Sequence, residues 1–190
     1  GTTPGLHFLG TADNQPLEVK VNASRALRLE PNPEGAPNII GGSPFNSVET
    51  GIVGATIAGG GAVNYSGDAG TNSIAADFGT VSGGFQNQIG PNSTHATIGG
   101  GSYNAIEQTG LGATIGGGNY NRMTTNTDAA TIAGGYGNEI HYFSYHATIG
   151  GGNANQIQAS AHGAIIAGGD NNVIQTGSET ATVGGGRNNK

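Results

Sequence analysis

Ala96-Thr97-Ile98-Gly99-Gly100-Gly101 returns as Ala113-Thr114-Ile115-Gly116-Gly117-Gly118, and related hexapeptides begin at Ala130, Ala147, Ala164 and Ala181, a constant spacing of 17. Looking back from Ala96, the same spacing leads to Gly79-Thr80-Val81-Ser82-Gly83-Gly84. It also joins Asn38-Ile39-Ile40-Gly41-Gly42 to Ala55-Thr56-Ile57-Ala58-Gly59-Gly60. Only the step from Ala55 to Gly79 departs from it, at 24. Nine copies at a fixed interval define a repeat architecture. Each copy carries a second signal, Asn-x-(Ile/Val/Met), as in Asn46-Ser47-Val48, Asn104-Ala105-Ile106, Asn121-Arg122-Met123 and Asn172-Val173-Ile174. In the long copy this signal is Asn72-Ser73-Ile74. The extra residues, 61–71, therefore belong to a turn between the glycines and the asparagine, and the coil survives around them.

A β-solenoid accounts for this pattern. A strand as short as Ala-Thr-Ile places its first and third side chains on one face and Thr on the other. The third residue is Ile or Val in every copy (Ile40 to Val183), so that face is the interior. The second glycine is the same in all nine (Gly42, Gly59, Gly83, Gly100, Gly117, Gly134, Gly151, Gly168, Gly185). A corner with positive φ, or a close backbone approach, would require it. The asparagines Asn46, Asn72, Asn87, Asn104, Asn121, Asn138, Asn155 and Asn172 are the expected partner corners. Asn tolerates left-handed geometry, and stacked Asn side chains hydrogen-bond between coils.

Composition agrees with such a structure and excludes others. Of 190 residues 38 are glycine, in GG and GGG clusters rather than at every third position, so collagen is excluded. Only 9% are charged and 34% hydrophobic, too few to fill an ordinary layered core. There is no cysteine, hence no disulfide framework and no thiolate metal site. Six Lys/Arg against twelve Asp/Glu give no footprint for nucleic acid or an anionic membrane, and no apolar run is long enough for a bilayer. From its Gly1-Thr2-Thr3-Pro4 start to Asn188-Asn189-Lys190, the chain reads as a fragment of something longer.

Each coil offers about two large side chains to the interior while its whole length must be ordered, so a thin solenoid gains by associating with others. The expectation is an intertwined or side-by-side homotrimer, with a monomeric solenoid as the alternative. Residues 1–37 lack the repeat. Leu17-Glu18-Val19-Lys20-Val21 and Ala26-Leu27-Arg28-Leu29-Glu30 alternate as two half-buried strands joined through Asn22-Ala23-Ser24-Arg25. His7-Phe8-Leu9-Gly10 is a candidate third strand, and Pro31-Asn32-Pro33-Glu34-Gly35 a linker. This segment suits a cap on the open end of the solenoid at 38–190.

Gly1-Thr2-Thr3-Pro4-Gly5, Phe8-Leu9-Gly10-Thr11, Asp13-Asn14-Gln15-Pro16-Leu17-Glu18 and Arg25-Ala26-Leu27-Arg28-Leu29-Glu30 resemble a segment of large bacterial and phage tail-fibre proteins. There it precedes glycine-rich repeats, in chains that often end in a self-cleaving intramolecular chaperone domain. The Ala-Thr-Ile-Gly repeats are also similar to the head of YadA-type trimeric autotransporter adhesins, where a Val-Ala-Ile-Gly stretch takes that place. This resemblance implies an all-β parallel solenoid of the left-handed β-roll type, trimeric and extracellular, on a virion fibre or a bacterial cell surface. The period is longer than in those adhesins, the Asn-Ser pair preceding the repeat is absent, and neither a coiled-coil stalk nor a membrane anchor is present.

The remaining motifs carry little chemistry. No Lys-Ser/Thr follows the glycine clusters, so they are corners rather than phosphate loops. Asp170 in Gly168-Gly169-Asp170-Asn171-Asn172 stands alone, without the recurrent Asp of calcium-binding repeats. The Thr column is interrupted by Ile39 and Ile165, which argues for outward β-branched strand residues over an ice-binding face. His95 and His146 share a repeat position but lie three coils apart, about 14 Å, too far for one metal ion. No cofactor or metal is expected. Glu107, Asp128, Glu139, Asp170 and Glu179 are scattered, which points away from an enzyme, although a carboxylate pair across subunits would suit a polysaccharide-degrading tail spike. Tyr103 and Tyr120 share the turn position before Asn and predict a stacked pair. The most distinctive variable stretch is His141-Tyr142-Phe143-Ser144-Tyr145-His146. Its His141, Tyr142, Phe143, Tyr145 and His146 are candidate contacts to a surface glycan or protein, or to a trimer seam. The expected function is a structural and adhesive fibre segment, with a carbohydrate-binding or carbohydrate-degrading spike as the alternative.

Overall fold

The computed structural model describes residues 9–190. Two antiparallel strands open it, β1 (Leu17–Val21) and β2 (Ser24–Glu30), and β2 pairs antiparallel with β3 (Asn38–Gly41), the first strand of the solenoid. The connecting turn is only Asn22-Ala23, both left-handed (φ 49° and 62°), because a two-residue turn of this hand matches the twist of its strands. Of the third strand expected at 7–10, His7 and Phe8 lie outside the described residues, while Leu9 and Gly10 form an exposed bend.

From Asn38 onward the chain winds as a β-solenoid of about nine turns, with no helix among the described residues. One parallel sheet stacks Asn38–Gly41, Thr56–Ile57, Thr80–Val81, Thr97–Ile98 and their equivalents as far as Thr182–Val183. A second stacks Ser47–Val48, Ser73–Ile74, Gln88–Ile89 and onward to Val173–Ile174. Register holds residue for residue: Thr97 opposite Thr114, Ile98 opposite Ile115, Ile106 opposite Met123. The two Ile rows and the Ala at the head of each repeat face one another in a single core cluster. Ile57, Ile98, Ile106, Met123, Ile140 and Ile166 have no exposed surface, so the core closes within one chain.

Counting positions in each coil from the residue equivalent to Ala96, the coil of Ala96 hydrogen-bonds forward at five places. Thr97, Gly99, Ser102, Ala105 and Glu107 donate their N–H to Ala113, Ile115, Gly118, Asn121 and Met123. At three places it bonds backward: Tyr103, Thr109 and Gly112 donate to Phe85, Pro91 and Thr94. Those three, at positions 8, 14 and 17, are left-handed, with φ of 58°, 54° and 64°. The left-handed corner turns the peptide group over, so its N–H meets the preceding coil rather than the next. The same positions elsewhere hold His95, Tyr120, Phe143 and His146, all with φ near 60°.

The corner assignments need two corrections. The repeat asparagines do not take left-handed φ; from Asn87 onward the residue before each one does, whereas Phe45 and Thr71, before Asn46 and Asn72, do not. Their importance is the expected stacking, since each lies buried and hydrogen-bonded to the Asn of the neighbouring coil. The close approach belongs to the first and third glycines of the cluster, not the second. At Gly118 (φ 83°) a Cβ would overlap the carbonyl oxygen of Gly135 in the next coil. Gly100 and Gly117 have φ of 135° and 151°, which favours glycine, but open space around them. Gly42, in the capped first coil, alone among the second glycines combines positive φ with a backbone against it.

The insertion lies at the expected place and forms a β-hairpin, Ala62–Tyr65 against Asp68–Gly70. Thr56 still faces Thr80 and Ser47 still faces Ser73 across it. The opposite corner of that coil is two residues short, with Ala76 accepting from Gly79 as Ser93 does from Ala96.

Candidate functional site

The glycine corner, positions 5 to 8, carries the most continuous non-core feature. Phe85 and Tyr136 stand at position 7, where a ladder of bridges runs Phe85, Ser102, Asn119, Tyr136. Tyr103 and Tyr120 stand at position 8. Both positions open on the same edge, so their rings interleave. Tyr103 and Tyr120 stack as expected, 4.7 Å apart and within 4° of parallel. Phe85 meets Tyr103 at 5.7 Å and 64°, and Tyr136 meets Tyr120 at 5.5 Å and 60°. Tyr65 of the hairpin extends the run onto Phe85 at 5.9 Å. The stacked pair follows from two Tyr one period apart. The five-ring stripe is not legible in that way, because its members are divided between positions 7 and 8 and the hairpin. Treating the two adjacent positions as one edge would have found four of the five.

The hairpin is seated on this stripe. Phe85 occupies the space a side chain at Gly70 would need, and Gln86 donates its side-chain amide to the Ala69 carbonyl at 2.9 Å. Between hairpin and solenoid lies a cleft of about 490 Å³, lined by Tyr65, Ser66, Asp68, Phe85, Ser102 and Tyr103 among others. Burial, with Tyr120 and Asp68 beside it, raises the Tyr103 phenol above its ordinary ionisation range.

The stretch expected to form one contact surface, 141–146, is divided by the corner geometry. His141 lies on the second sheet's outer face, its Nε2 3.3 Å from Glu139. Tyr142 and Phe143 form an exposed edge-to-face pair at 5.7 Å. Ser144 turns inward, donating to the Gln158 carbonyl. Tyr145 and His146 lie beyond it, with Tyr145 stacked on His162 of the next coil at 5.0 Å and 5°. Asp128, Tyr145, His146 and His162 line a second, more open cleft of about 460 Å³. His95 stacks on Phe78 at 5.2 Å.

The carboxylates singled out above are largely tied into structure. Glu107 and Glu139 flank Arg122, Asp128 accepts the Leu111 N–H at 3.0 Å, and Asp170 holds Asn153 and Arg187. Among the described residues no three His, Cys, Asp or Glu side chains form a metal-binding group, and no helix is long and apolar enough to cross a membrane. No protein-family model matches the chain, and neither does any curated protein.

Proposed function

We propose that this chain is a structural and adhesive segment of an extracellular fibre, on a virion or a bacterial surface, assembled as a homotrimer. The observation that carries the reading is the uniformity of the coil. From Ala96 onward successive coils close on one another through the same forward and backward backbone bonds, while polar and charged variation falls at corners and outward strand positions and the inward strand positions stay apolar. Such a body transmits length and stiffness and displays its corners in rows. Side-by-side association finds support in the outer face of the first sheet. There a row of Thr runs beside a row of Gly, Ala and Ser (Ala58, Ser82, Gly99, Gly116, Ala133) without a charged residue, which permits close approach of a second chain. Partner chains are not needed to exclude water from the core.

Light scattering tests the assembly: a mass three times the chain's 18.7 kDa is expected, and 18.7 kDa would overturn the trimer. Saturable retention of fluorescently labelled protein on a panel of bacterial cells tests adhesion. Absence of retention on all of them would reduce the segment to a spacer.

A further inference from the structure

We infer that the aromatic edge beneath the hairpin is a binding site for a neutral, extended glycan chain lying along the fibre axis; this deepens the adhesive reading and rests on it.

Shape comes first. Tyr65, Phe85, Tyr103, Tyr120 and Tyr136 form one unbroken run, and Tyr65, Tyr120 and Tyr136 are 68%, 50% and 54% exposed. Phe85 and Tyr136 are three coils apart, about 14 Å at ~4.8 Å per coil, so the stripe suits an elongated ligand. Tyr136, turned 60° from Tyr120, and the exposed Tyr65 are not consumed by parallel stacking, whereas Phe85 is covered by the hairpin at Gly70.

Chemistry selects the ligand. A pyranose presents C–H bonds on its faces and hydroxyls around its rim. Aromatic rings complement the former, and the Ser66 and Ser102 hydroxyls, the Asp68 carboxylate and the tyrosine phenols complement the latter. Among the described residues Asp68 is the only charged one lining the cleft, and no lysine or arginine lines it. An acidic or sulfated chain therefore meets a negative charge with no counter-charge, whereas a neutral chain meets none of its own sign. The site is also pre-formed, since Phe85 under Gly70 and Gln86 on Ala69 hold the hairpin in place before any ligand arrives.

The test is titration of the chain, in its native oligomeric state, with cellohexaose, maltohexaose, chitohexaose and a heparin hexasaccharide, read by tyrosine fluorescence. At least one neutral hexasaccharide should bind with a Kd of about 1 mM or tighter, and the heparin fragment should not. Tyr65→Ala with Tyr136→Ala, both exposed, should weaken binding at least about tenfold, while Leu111→Ala, exposed at the opposite corner, leaves it unchanged. No binding by any neutral hexasaccharide, or equal binding by the Tyr65/Tyr136 variant, overturns the site. So does a change in assembly mass in that variant, which would make the stripe a seam between copies. Cell retention separates the two readings. Retention unaffected by the Tyr65/Tyr136 substitutions leaves the adhesive fibre standing and removes this site from it. Hexasaccharide binding without retention on any cell does the reverse.

Discussion

The side-chain oxygen of Asn104 accepts the backbone N–H of Asn121, one coil further on, at 3.0 Å. Its own amide nitrogen donates to Gly100 in the same coil at 2.9 Å and to Gly118 in the next at 2.7 Å. The side chain is completely buried, so its own oxygen and amide have no water as an alternative. Asn104→Ala therefore strands the Asn121 N–H and weakens three acceptors, the Gly100 and Gly118 carbonyls and the Asn87 side-chain oxygen, at ~1–3 kcal/mol for each buried group left unpaired. Asn104→Asp keeps the acceptor but sets a carboxylate against two carbonyls, and is expected to be at least as damaging. Hydrogen exchange at Ala105 and Arg122 reads the effect locally, which suits a repeat array better than a single midpoint. Protection unchanged in the Ala variant would show that the asparagine ladder is ornamental.

Gly100 and Gly101 are neighbours that fail for different reasons. In Gly101→Ala the new methyl group falls on the carbonyl oxygen of Gly118, and the φ of 82° is unfavourable as well. The coil must part from its neighbour, and loss of the local fold is expected. In Gly100→Ala nothing lies closer than the Gly83 oxygen at 4.0 Å, so only the backbone strain of a φ of 135° remains, about 1–3 kcal/mol. Thermal unfolding of the two variants should rank them in that order; equal losses would contradict the geometry.

This contrast marks how much of the repeat is legible without coordinates. The constant interval identifies the inward Ile rows, the coil and the place of the insertion, because burial and register act on every copy alike. It does not distinguish a glycine required by φ from one required by contact, since both leave the same residue in the column. Nor does it reveal the left-handed positions. Tyr103, Thr109, His95 and Phe143 occupy them, and side chains so different leave no signature. The shortened corner at Ala75-Ala76 is hidden inside the one irregular step, where a long insertion and a small deletion sum to a single number.

Thr109 is a β-branched residue at φ 54°, a region such residues rarely adopt. Its N–H bond to Pro91 holds it there. Thr109→Asn relieves part of the strain without altering the bond and should stabilise the protein by about 0.5–1 kcal/mol. Thr109→Gly should do no better, because glycine loses more freedom on folding. Urea unfolding would expose the error if Thr109→Asn proved destabilising.

Tyr103 is the phenol whose ionisation the fold opposes, first by burial and then through Tyr120 and Asp68. A raised value means that the folded chain keeps the proton better than the unfolded one. The stability from this group is then fully present below the ordinary value of 10.0 and is lost as pH rises through the folded one. Spectroscopic titration of the tyrosines should show a late step that disappears in Tyr103→Phe and moves earlier in Asp68→Asn. A titration curve identical in all three proteins would place the late phenol elsewhere.

Excision of the hairpin separates display from scaffold. Replacing residues 61–71 with the Ser-Tyr pair found at Ser102-Tyr103 restores the regular glycine corner, and the coil stays shorter than its neighbours only at its far corner. Thr56 and Thr80, Ser47 and Ser73 pair without help from the hairpin. The core residues Ile57 and Ile74 lie on those strands, so the solenoid should keep its fold. The losses are local: Phe85 gives up its contact with the hairpin, while the shorter loop closes at a lower entropic cost. Stability is expected to change by about 1 kcal/mol or less, with exchange protection altered only around Phe85 and Gln86. Unfolding of the whole array would instead make the hairpin a structural bracket, holding together the one coil whose length departs from the common period.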